Sequence, residues 1–217
     1  MIFVESRRKS QKTLDKTYPM AEIIDLTSKG IEPFVRLSPF YPHGDIPVPF
    51  SNDTFSYSVE GIWQGLKVFN DSDIDASKFQ IKDMKDIKRT VRKYGHPLGH
   101  RKGLNGELLD YITARKEIYI PTYYWVLENK ASKVLDLLIM KAKSNDLVLL
   151  DYQTNGDIEN TKKPISHAAI VKRFLEDKHP NLLKKRFTKP QTKERKTRKK
   201  NNKDKRNSTG QLSIGFK

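Results

Sequence analysis

The spacing of apolar residues predicts a chain in which helical segments and short strands alternate. Apolar residues recur every three or four positions, as on one face of a helix, in five segments. These segments are 58–69, 83–94, 107–119, 121–143 and the stretch that opens at Ser166. Ser58 is the expected N-cap of the first helix, Gly95 and Pro97 end the second, and Pro121 suits the first turn of a new one.

Short apolar runs bounded by turn residues predict the strands. They lie at residues 2–4, 21–27, 54–57 and 147–152. Before the third run, prolines at positions 39, 42, 47 and 49 remove backbone donors and fix φ. We therefore expect an extended loop there rather than a helix.

The first predicted helix, SVEGIWQGLKVF, has three distinct faces. Glu60, Gln64 and Lys67 fall within a wedge of about 60° on a helical projection. The far side is apolar and carries Val59, Ile62, Leu66 and Phe69. Gly61 and Gly65 share a third face, although each glycine costs a helix about 1 kcal/mol relative to alanine. We therefore expect another segment to approach the glycines closely, and the polar wedge to be either a solvated stripe or a functional site.

The positive charge is concentrated at the C-terminus. The 217 residues have a formal net charge of +16, and residues 178–217 hold 15 Lys and Arg against Glu194 and Asp204. The rest of the chain carries 27 basic and 24 acidic groups. Because apolar residues in this tail are sparse, we expect it to be disordered and to bind nucleic acid through charge. The predicted contacts are Lys184, Lys185, Arg186, Arg195, Arg198, Lys199 and Lys200.

Length and composition indicate one folded domain. With 36% hydrophobic residues the chain can build a single core, and the predicted organisation is an N-terminal segment at 1–20, a domain at 21–177 and the basic tail. The absence of cysteine excludes disulfides and thiolate metal sites and fits a reducing compartment. Because no apolar run is long enough to span a membrane and the first residues do not resemble a signal peptide, we expect a soluble, cytoplasmic protein with no membrane partner.

Several common kinds of functional site find no support in the sequence. His96 and His100 are four residues apart, but Pro97 and Gly99 disfavour the helix that a metal pair would need, and the sequence predicts no metal site. The chain has no P-loop, GxGxxG or GxSxG pattern, and we predict no cofactor. Arg101 could hold a phosphate or form a surface ion pair, and the same alternatives apply to Arg115.

Two motifs together resemble the NADAR (YbiA-like) family. The loop LSPFYPHG is similar to the family's L-S-N-F-Y-P, with Pro39 in place of asparagine. The helix SVEGIWQGLKVF is similar to V-E-H-x-x-Q-A-x-K-F, with Glu60, Gln64 and Lys67 in register and Gly61 in place of histidine. A weaker similarity to a T-G-D turn lies at residues 154–157, whereas a W-G element expected near the end of the family's domain is missing.

This resemblance implies a fold and an activity. The implied fold is α+β, predominantly helical and YbiA-like, in a single domain followed by the disordered basic tail. The implied activity is an N-glycosyl hydrolase that removes ADP-ribose or a related ribosyl group from a base. Its substrate would be an ADP-ribosylated or phosphoribosylated compound, which includes modified nucleic-acid bases and riboflavin-pathway intermediates.

The proposed chemistry gives each residue of the motif a role. Glu60, in the first helical turn, would stabilise the cationic sugar carbon as a carboxylate, and a desolvated Lys67 could form a Schiff base with an opened ribose. The predicted substrate-binding residues are Phe40, Tyr41, Trp63, Gln64, Arg101 and Asn155. The three aromatic residues could stack on a base or ribose, or fill the core.

Two alternative functions remain open at this point. One is a non-catalytic nucleic-acid-binding protein whose NADAR-like domain only recognises a ligand. The other is a small-molecule N-glycosidase whose tail serves solubility or localisation.

Overall fold

The structure, a computed structural model, describes residues 1–178, and all of these belong to one compact unit. The helices are α1 (Gln11–Thr17), α2 (Val59–Gly65), α3 (Val91–Tyr94), α4 (Tyr111–Ala114), α5 (Ile120–Asn129), α6 (Ser132–Ser144) and α7 (His167–Lys178). A π-helical turn, Arg115–Tyr119, joins α4 to α5, and 3₁₀ turns lie at Phe34–Leu37 and Ala76–Gln80.

The strands form three small sheets. They are β1 (Ile2–Ser6), β2 (Glu22–Asp25), β3 (Ile46–Pro47), β4 (Phe55–Ser56), β5 (Lys67–Val68), β6 (Gly99–Arg101), β7 (Leu108–Leu109) and β8 (Leu147–Asp151). The first sheet has the order β1-β8-β2, the second pairs β3 with β4, and the third has the order β5-β6-β7. The structure thus confirms a single domain that mixes helices and sheets.

The largest sheet is parallel, and its middle strand is buried along its whole length. Strand β8 pairs with β1 on one side and with β2 on the other, so that Leu147 lies opposite both Ile2 and Glu22. Its apolar side chains on one face join the main core, to which α2, α5, α6 and α7 also contribute. Those on the other face, Val148 and Leu150, pack with Leu14 of α1. Burial on both faces explains why LVLLD reads as a continuous apolar run.

The predicted strands are confirmed, but four of the five predicted helices are not formed as single helices over their full length. The first helix ends at Gly65, and the segment after it becomes β5, which pairs with β6. Most of the second predicted helix, 83–94, is irregular, and only α3 is helical. The main-chain N–H of Arg89 donates to the Gln64 side chain, so it is not available for a helical hydrogen bond. The third predicted helix, 107–119, begins with strand β7 and contains the π-helical turn. The fourth, 121–143, is divided into α5 and α6 at residues 130–131.

The two glycines of α2 lie against a neighbouring segment, as their shared face predicts. A β-carbon on Gly65 would lie 2.3 Å from the ring of Phe79, and one on Gly61 would lie 2.7 Å from the carbonyl oxygen of Lys78. The 3₁₀ turn Ala76–Gln80 therefore packs directly on the helix, and neither glycine position has room for a side chain.

Three further predictions concern the N-terminal segment, membrane spans and the C-terminal tail. Residues 1–20, set apart in the sequence analysis, contribute β1 to the central sheet. Among residues 1–178, no helix is long and apolar enough to cross a membrane. The predicted disordered tail lies outside the described residues, apart from Lys178 at the end of α7.

Candidate functional site

Three polar side chains form a row at helix α2 and directly after it, which we call the α2 polar row: the buried Glu60 and Gln64 and the half-buried Lys67. The helix begins as expected, because the hydroxyl of Ser58 accepts a hydrogen bond from the Gly61 N–H at 3.0 Å. The N–H of Glu60 donates to the carbonyl of Pro39 at 2.8 Å, which joins the helix to the Pro-rich loop. The sequence motif and its preceding loop therefore meet at the start of α2.

Gln64 bridges the two charged members of the α2 polar row. Its Nε2 donates to Glu60 Oε1 at 2.7 Å, and its Oε1 accepts from Lys67 Nζ at 3.0 Å. The same Oε1 accepts from the main-chain N–H of Arg89 at 3.0 Å. Because a backbone N–H can only donate, this contact fixes which end of the amide is oxygen. Glu60 is thereby set as an acceptor, and the Lys67 amine is held by the same side chain.

Lys67 lies where the chain leaves α2, in an environment that lowers its pKa. Burial is the main cause of the shift, while Glu60 opposes it and the cations Lys88 and Arg89 reinforce it. A lowered pKa increases the fraction of neutral amine, which is the nucleophilic form. The arrangement can therefore supply a nucleophile beside a carboxylate.

Arg89 anchors the segment next to this row without a carboxylate partner. Its guanidinium donates to the carbonyls of Lys67 and Asp73 at 2.6 and 2.7 Å and to the hydroxyl of Ser72 at 2.7 Å. The side chain is 2% exposed, and no ion pair to it occurs among residues 1–178. Its positive charge is thus held in place by neutral groups.

Trp63 packs inside an aromatic cluster and stacks on a buried histidine. The rings of Trp63 and His100 are 3.6 Å apart between centroids and 25° apart in orientation, and Tyr119 meets the Trp63 ring edge-on at 5.2 Å. His100 lies opposite Lys67 in the β5–β6 pair. Burial, together with Lys67, lowers the pKa of His100 to about 3, so its imidazole is neutral. Within the described part of the chain, neither of its ring nitrogens has a hydrogen-bond partner.

A second buried group, which we call the Asp151 cluster, consists of Asp151, Ser166 and His167. Oδ2 of Asp151 accepts from the Ser166 hydroxyl at 2.7 Å and from His167 Nδ1 at 2.9 Å. His167 Nε2 lies 2.9 Å from the carbonyl oxygen of Leu26, which can only accept. Both ring nitrogens of His167 therefore donate, and the ring is an imidazolium paired with a carboxylate.

The pKa shifts in the Asp151 cluster agree with an ion pair. Burial acts to lower the pKa of His167, but the charge and hydrogen bond of Asp151 outweigh it and raise that pKa. Burial likewise acts to raise the pKa of Asp151, and His167 outweighs it and lowers that pKa. The pair forms at the carboxyl end of β8, where the sheet meets α7.

Two buried tyrosines lie between the α2 polar row and the Asp151 cluster. The rings of Tyr119 and Tyr123 are 6.4 Å apart, and Tyr123 meets the His167 ring edge-on at 6.4 Å. Burial raises the pKa of both tyrosines well above 10, and nearby carboxylates, including Glu60 for Tyr119 and Asp151 for both, add to that rise. Both phenols are therefore neutral, and the Tyr123 hydroxyl donates to the carbonyl of Leu37.

The two aromatic residues of the Pro-rich loop lie in different surroundings. The ring of Phe40 is half-buried beneath the amine of Lys88, which lies 5.1 Å from its centroid. Tyr41 instead donates to Glu32 at 3.2 Å and lies beside His43 and under Arg36. The structure thus places Phe40 next to Lys88, which precedes Arg89 in the chain. The partners of Tyr41 instead lie close to it in sequence.

Arg101, Arg115 and Asn155 are occupied by contacts within the protein. Arg101 forms a two-point ion pair with Asp73, at 2.8 and 3.2 Å. Arg115 is fully buried and binds three carbonyls of the 158–163 loop, while the Asn155 amide binds two of the same carbonyls, those of Asn160 and Lys163. These contacts give Arg115 and Asn155 a loop-shaping role.

The α2 polar row does not line one well-formed surface pocket of this domain. That pocket has a volume of about 520 Å³ and is lined by Phe50, Ser51, Asn52, Lys102, Leu104, Asn105 and Gly106. The accessible end of the α2 polar row is its outer end, where Lys67 is half-buried and Lys88 is exposed. In the described chain, no group of three or more His, Asp or Glu side chains is arranged to hold a metal ion.

Sequence reasoning missed Lys88, Arg89, His100 as a stacking partner, and the Asp151 cluster. Lys88 and Arg89 fell in a predicted helix and gave no local signal. Asp151 did give one, because it is a charged residue that ends an otherwise apolar strand. The predicted nucleic-acid contacts from Lys184 to Lys200 lie outside the described residues.

Comparison with known proteins gives a family but no activity. Searches of curated proteins and of solved structures found no match. The model of a family of unknown function, DUF6939, matches residues 6–171, which contain the α2 polar row and the Asp151 cluster. Because this match covers most of the chain, the protein belongs to the DUF6939 family.

Proposed function

We propose that this protein is an N-glycosidase that removes ADP-ribose or a related ribosyl group from a base. The observation that carries the proposal is the α2 polar row. In it, Gln64 joins the Glu60 carboxylate to the Lys67 amine in an environment that is partly shielded from solvent. A carboxylate can stabilise a cationic sugar carbon, and a neutral amine can attack it. The resemblance of the two sequence motifs to the NADAR family supports the same chemistry.

The proposed reaction uses Lys67 as the nucleophile. When the ring of an N-riboside opens, the bond from carbon 1 to the ring oxygen breaks and that oxygen takes a proton from water. Carbon 1 remains joined to the base nitrogen as an iminium ion, which the Glu60 carboxylate stabilises. The neutral Lys67 amine adds to carbon 1, and the base nitrogen takes a proton from the Lys67 nitrogen as its bond to carbon 1 breaks. Water then hydrolyses the Lys67 imine, which releases the ribose aldehyde and restores the amine.

Other parts of the proposal rest on the sequence. The basic residues after Asp177 would hold the enzyme on nucleic acid, with an affinity that falls steeply as salt rises. A YbiA-like fold and a cytoplasmic location, suggested by the lack of cysteine, belong to the same proposal. Of the predicted substrate-binding residues, Gln64 acts in this scheme by positioning Lys67, because its amide already bridges the charged pair.

Covalent trapping tests the proposal directly. The purified chain is incubated with ADP-ribosylated DNA, ADP-ribosylated RNA or riboflavin-pathway intermediates in the presence of cyanoborohydride, and its peptides are analysed by mass spectrometry. We expect release of a ribosyl product and a reduced ribosyl adduct on the peptide that contains Lys67. Lys67→Arg should abolish both, because a guanidinium stays protonated.

Matched variants separate this mechanism from its rivals. Lys85→Arg, an exposed lysine of the same region, should react like the wild type, and Glu60→Gln should slow adduct formation. Full turnover by Lys67→Arg with no adduct in the wild type would remove Lys67 from the mechanism. Failure of the wild type to cleave any of these substrates would remove the proposed activity.

A further inference from the structure

The outer end of the α2 polar row has more basic than acidic side chains. Lys67 is affected electrostatically by Lys88 and Arg89 as well as by Glu60, and Asp73 is affected by Arg101 and Arg89. These interacting side chains form one set of four basic groups and two carboxylates: Lys67, Lys88, Arg89, Arg101, Glu60 and Asp73. Of the two carboxylates, Asp73 is already paired with Arg101 and Glu60 with Gln64.

Lys88 is the cation of this set that is free to bind a ligand. Its side chain is exposed, and in the part of the chain that the structure describes no carboxylate lies within ion-pair distance of it. The two terminal guanidinium nitrogens of Arg89 donate to two carbonyls and a hydroxyl, although these groups do not neutralise its charge. A bound anion would thus meet the Lys88 amine directly and the buried Arg89 charge at longer range.

An apolar ring lies directly beside this amine. Lys88 Nζ is 5.1 Å from the centroid of the half-buried Phe40 ring. Phe40 follows Pro39, whose carbonyl accepts the Glu60 N–H, so the ring is tied to the start of α2. An aromatic face next to a free cation suits a ligand that joins a flat base to a phosphate.

We infer that Lys88 is a specificity-determining residue that binds a phosphate of the substrate while Phe40 packs against its base or ribose. The inference rests on the proposed function, because it places the phosphate beside the proposed nucleophile Lys67. It assigns the contact that would favour phosphorylated ribosyl compounds over plain nucleosides. It also moves the phosphate contact away from Arg101 and Arg115, whose guanidinium groups have partners within the protein.

Calorimetric titration of the full chain with ADP-ribose and with adenosine tests the inference. Lys88→Ala should weaken ADP-ribose binding by about tenfold and leave adenosine binding unchanged, because only the charge-assisted contact to phosphate is lost. Lys88→Arg should retain most of the affinity, and the difference between Lys88→Ala and the wild type should shrink as salt is raised. Lys85→Ala is the control, because it removes an exposed charge from the same segment and leaves the C-terminal basic residues as they are.

The possible results separate this inference from the proposed function. Equal ADP-ribose affinity in Lys88→Ala and Lys85→Ala, or a wild type that does not bind ADP-ribose, would overturn the inference. A loss of adenosine binding as large as the loss of ADP-ribose binding would also overturn it. Lys88-dependent binding of ADP-ribose without cleavage of any N-glycoside would support the inference and contradict the proposed activity. Cleavage with an unchanged KM in Lys88→Ala would do the opposite.

Discussion

The α2 polar row and the Asp151 cluster are both polar and largely buried, but they differ in their surroundings. Buried atoms without a hydrogen-bond partner adjoin the first, whereas the second is a paired imidazolium and carboxylate. In the Asp151 cluster, each ring nitrogen of His167 faces an acceptor and the imidazolium is balanced by a carboxylate. Beside the α2 polar row, the described chain offers no hydrogen-bond partner to His100 or to Nε of Arg89. The buried guanidinium of Arg89 also has no ion pair there.

This difference indicates that the two groups serve different purposes. Buried polar atoms that lack partners reduce stability by about 1–3 kcal/mol each, so a protein is expected to retain them where function requires them. A buried ion pair whose hydrogen bonds are complete instead fixes how its elements dock. We therefore assign the Asp151 cluster to the fold, where it joins β8 to α7, whereas ligand binding and chemistry at the α2 polar row are what we propose.

The largest effect that tests this comparison is expected from Asp151→Asn. The change removes the carboxylate that accepts from Ser166 and His167, and it leaves a buried imidazolium without a counter-ion. Loss of one partner of a buried ion pair costs about 3–5 kcal/mol, which urea denaturation would measure. Asp136→Asn, the same change at an exposed position of α6, should alter the free energy of unfolding by less than about 0.5 kcal/mol. Equal stability of the two variants would show that the Asp151 cluster is not an ion pair.

The Asp151 cluster should also make stability depend on pH. We expect this change in the free energy of unfolding to be somewhat smaller than the one caused by Asp151→Asn. Asp151, and more weakly Glu60, raise the pKa of His167 above its ordinary value of 6.5 despite burial. The stabilisation by the protonated ring is complete below 6.5 and is lost as pH rises through the folded-state pKa. The urea midpoint of the wild type should therefore fall as pH rises above 6.5, and His167→Gln should show a smaller fall. A wild-type midpoint that rises over this range would contradict the assignment.

Glu60→Gln should have little effect on stability and a clear effect on Lys67. The new amide can still accept from Gln64, so we expect the free energy of unfolding to change by less than about 1 kcal/mol. Because Glu60 raises the pKa of Lys67, its neutralisation should lower that pKa further. Carbon-13 NMR of reductively methylated lysines would report the shift. An unchanged pKa of Lys67 would mean that Glu60 and Lys67 are not coupled.

The smallest effect is expected from Arg101→Ala. The Arg101–Asp73 pair lies at the surface, and such pairs contribute about 0.2–1 kcal/mol. We expect a small shift in the melting temperature that diminishes at high salt, with ADP-ribose affinity close to that of the wild type. A tenfold loss of affinity would instead make Arg101 the phosphate-binding residue, as the sequence first suggested.

Local sequence signals predicted the elements whose causes are themselves local. Ser58 caps α2 because its hydroxyl lies three residues from the N–H that it binds, and the spacing of Gly61 and Gly65 directly encodes a face without side chains. The apolar run LVLLD likewise identifies a strand that is covered on both sides. In each of these cases, the residues that determine the local structure lie within one short stretch of sequence.

Contacts between distant segments could not be predicted in this way. Lys67 was expected on the polar face of a long helix; it does contact Gln64, but from strand β5, because pairing with His100 ends the helix. The predicted helix over 83–94 fails at Arg89, whose backbone and guanidinium bind α2, β5 and the loop after it. The sequence pattern shows what each residue could do, but not which distant partner competes for its hydrogen bonds.

The position of β8 has a consequence for how the chain reaches its native state. The two outer strands of the central sheet, β1 and β2, are made first, and neither pairs with the other. Their common partner begins only at Leu147, so Ile2 must wait for most of the domain to be synthesised before its strand can pair. Such contacts between distant parts of a sequence slow folding and leave strand edges exposed in the meantime. The order of synthesis therefore leaves the strand edges of the N-terminal half unpaired until β8 has been made.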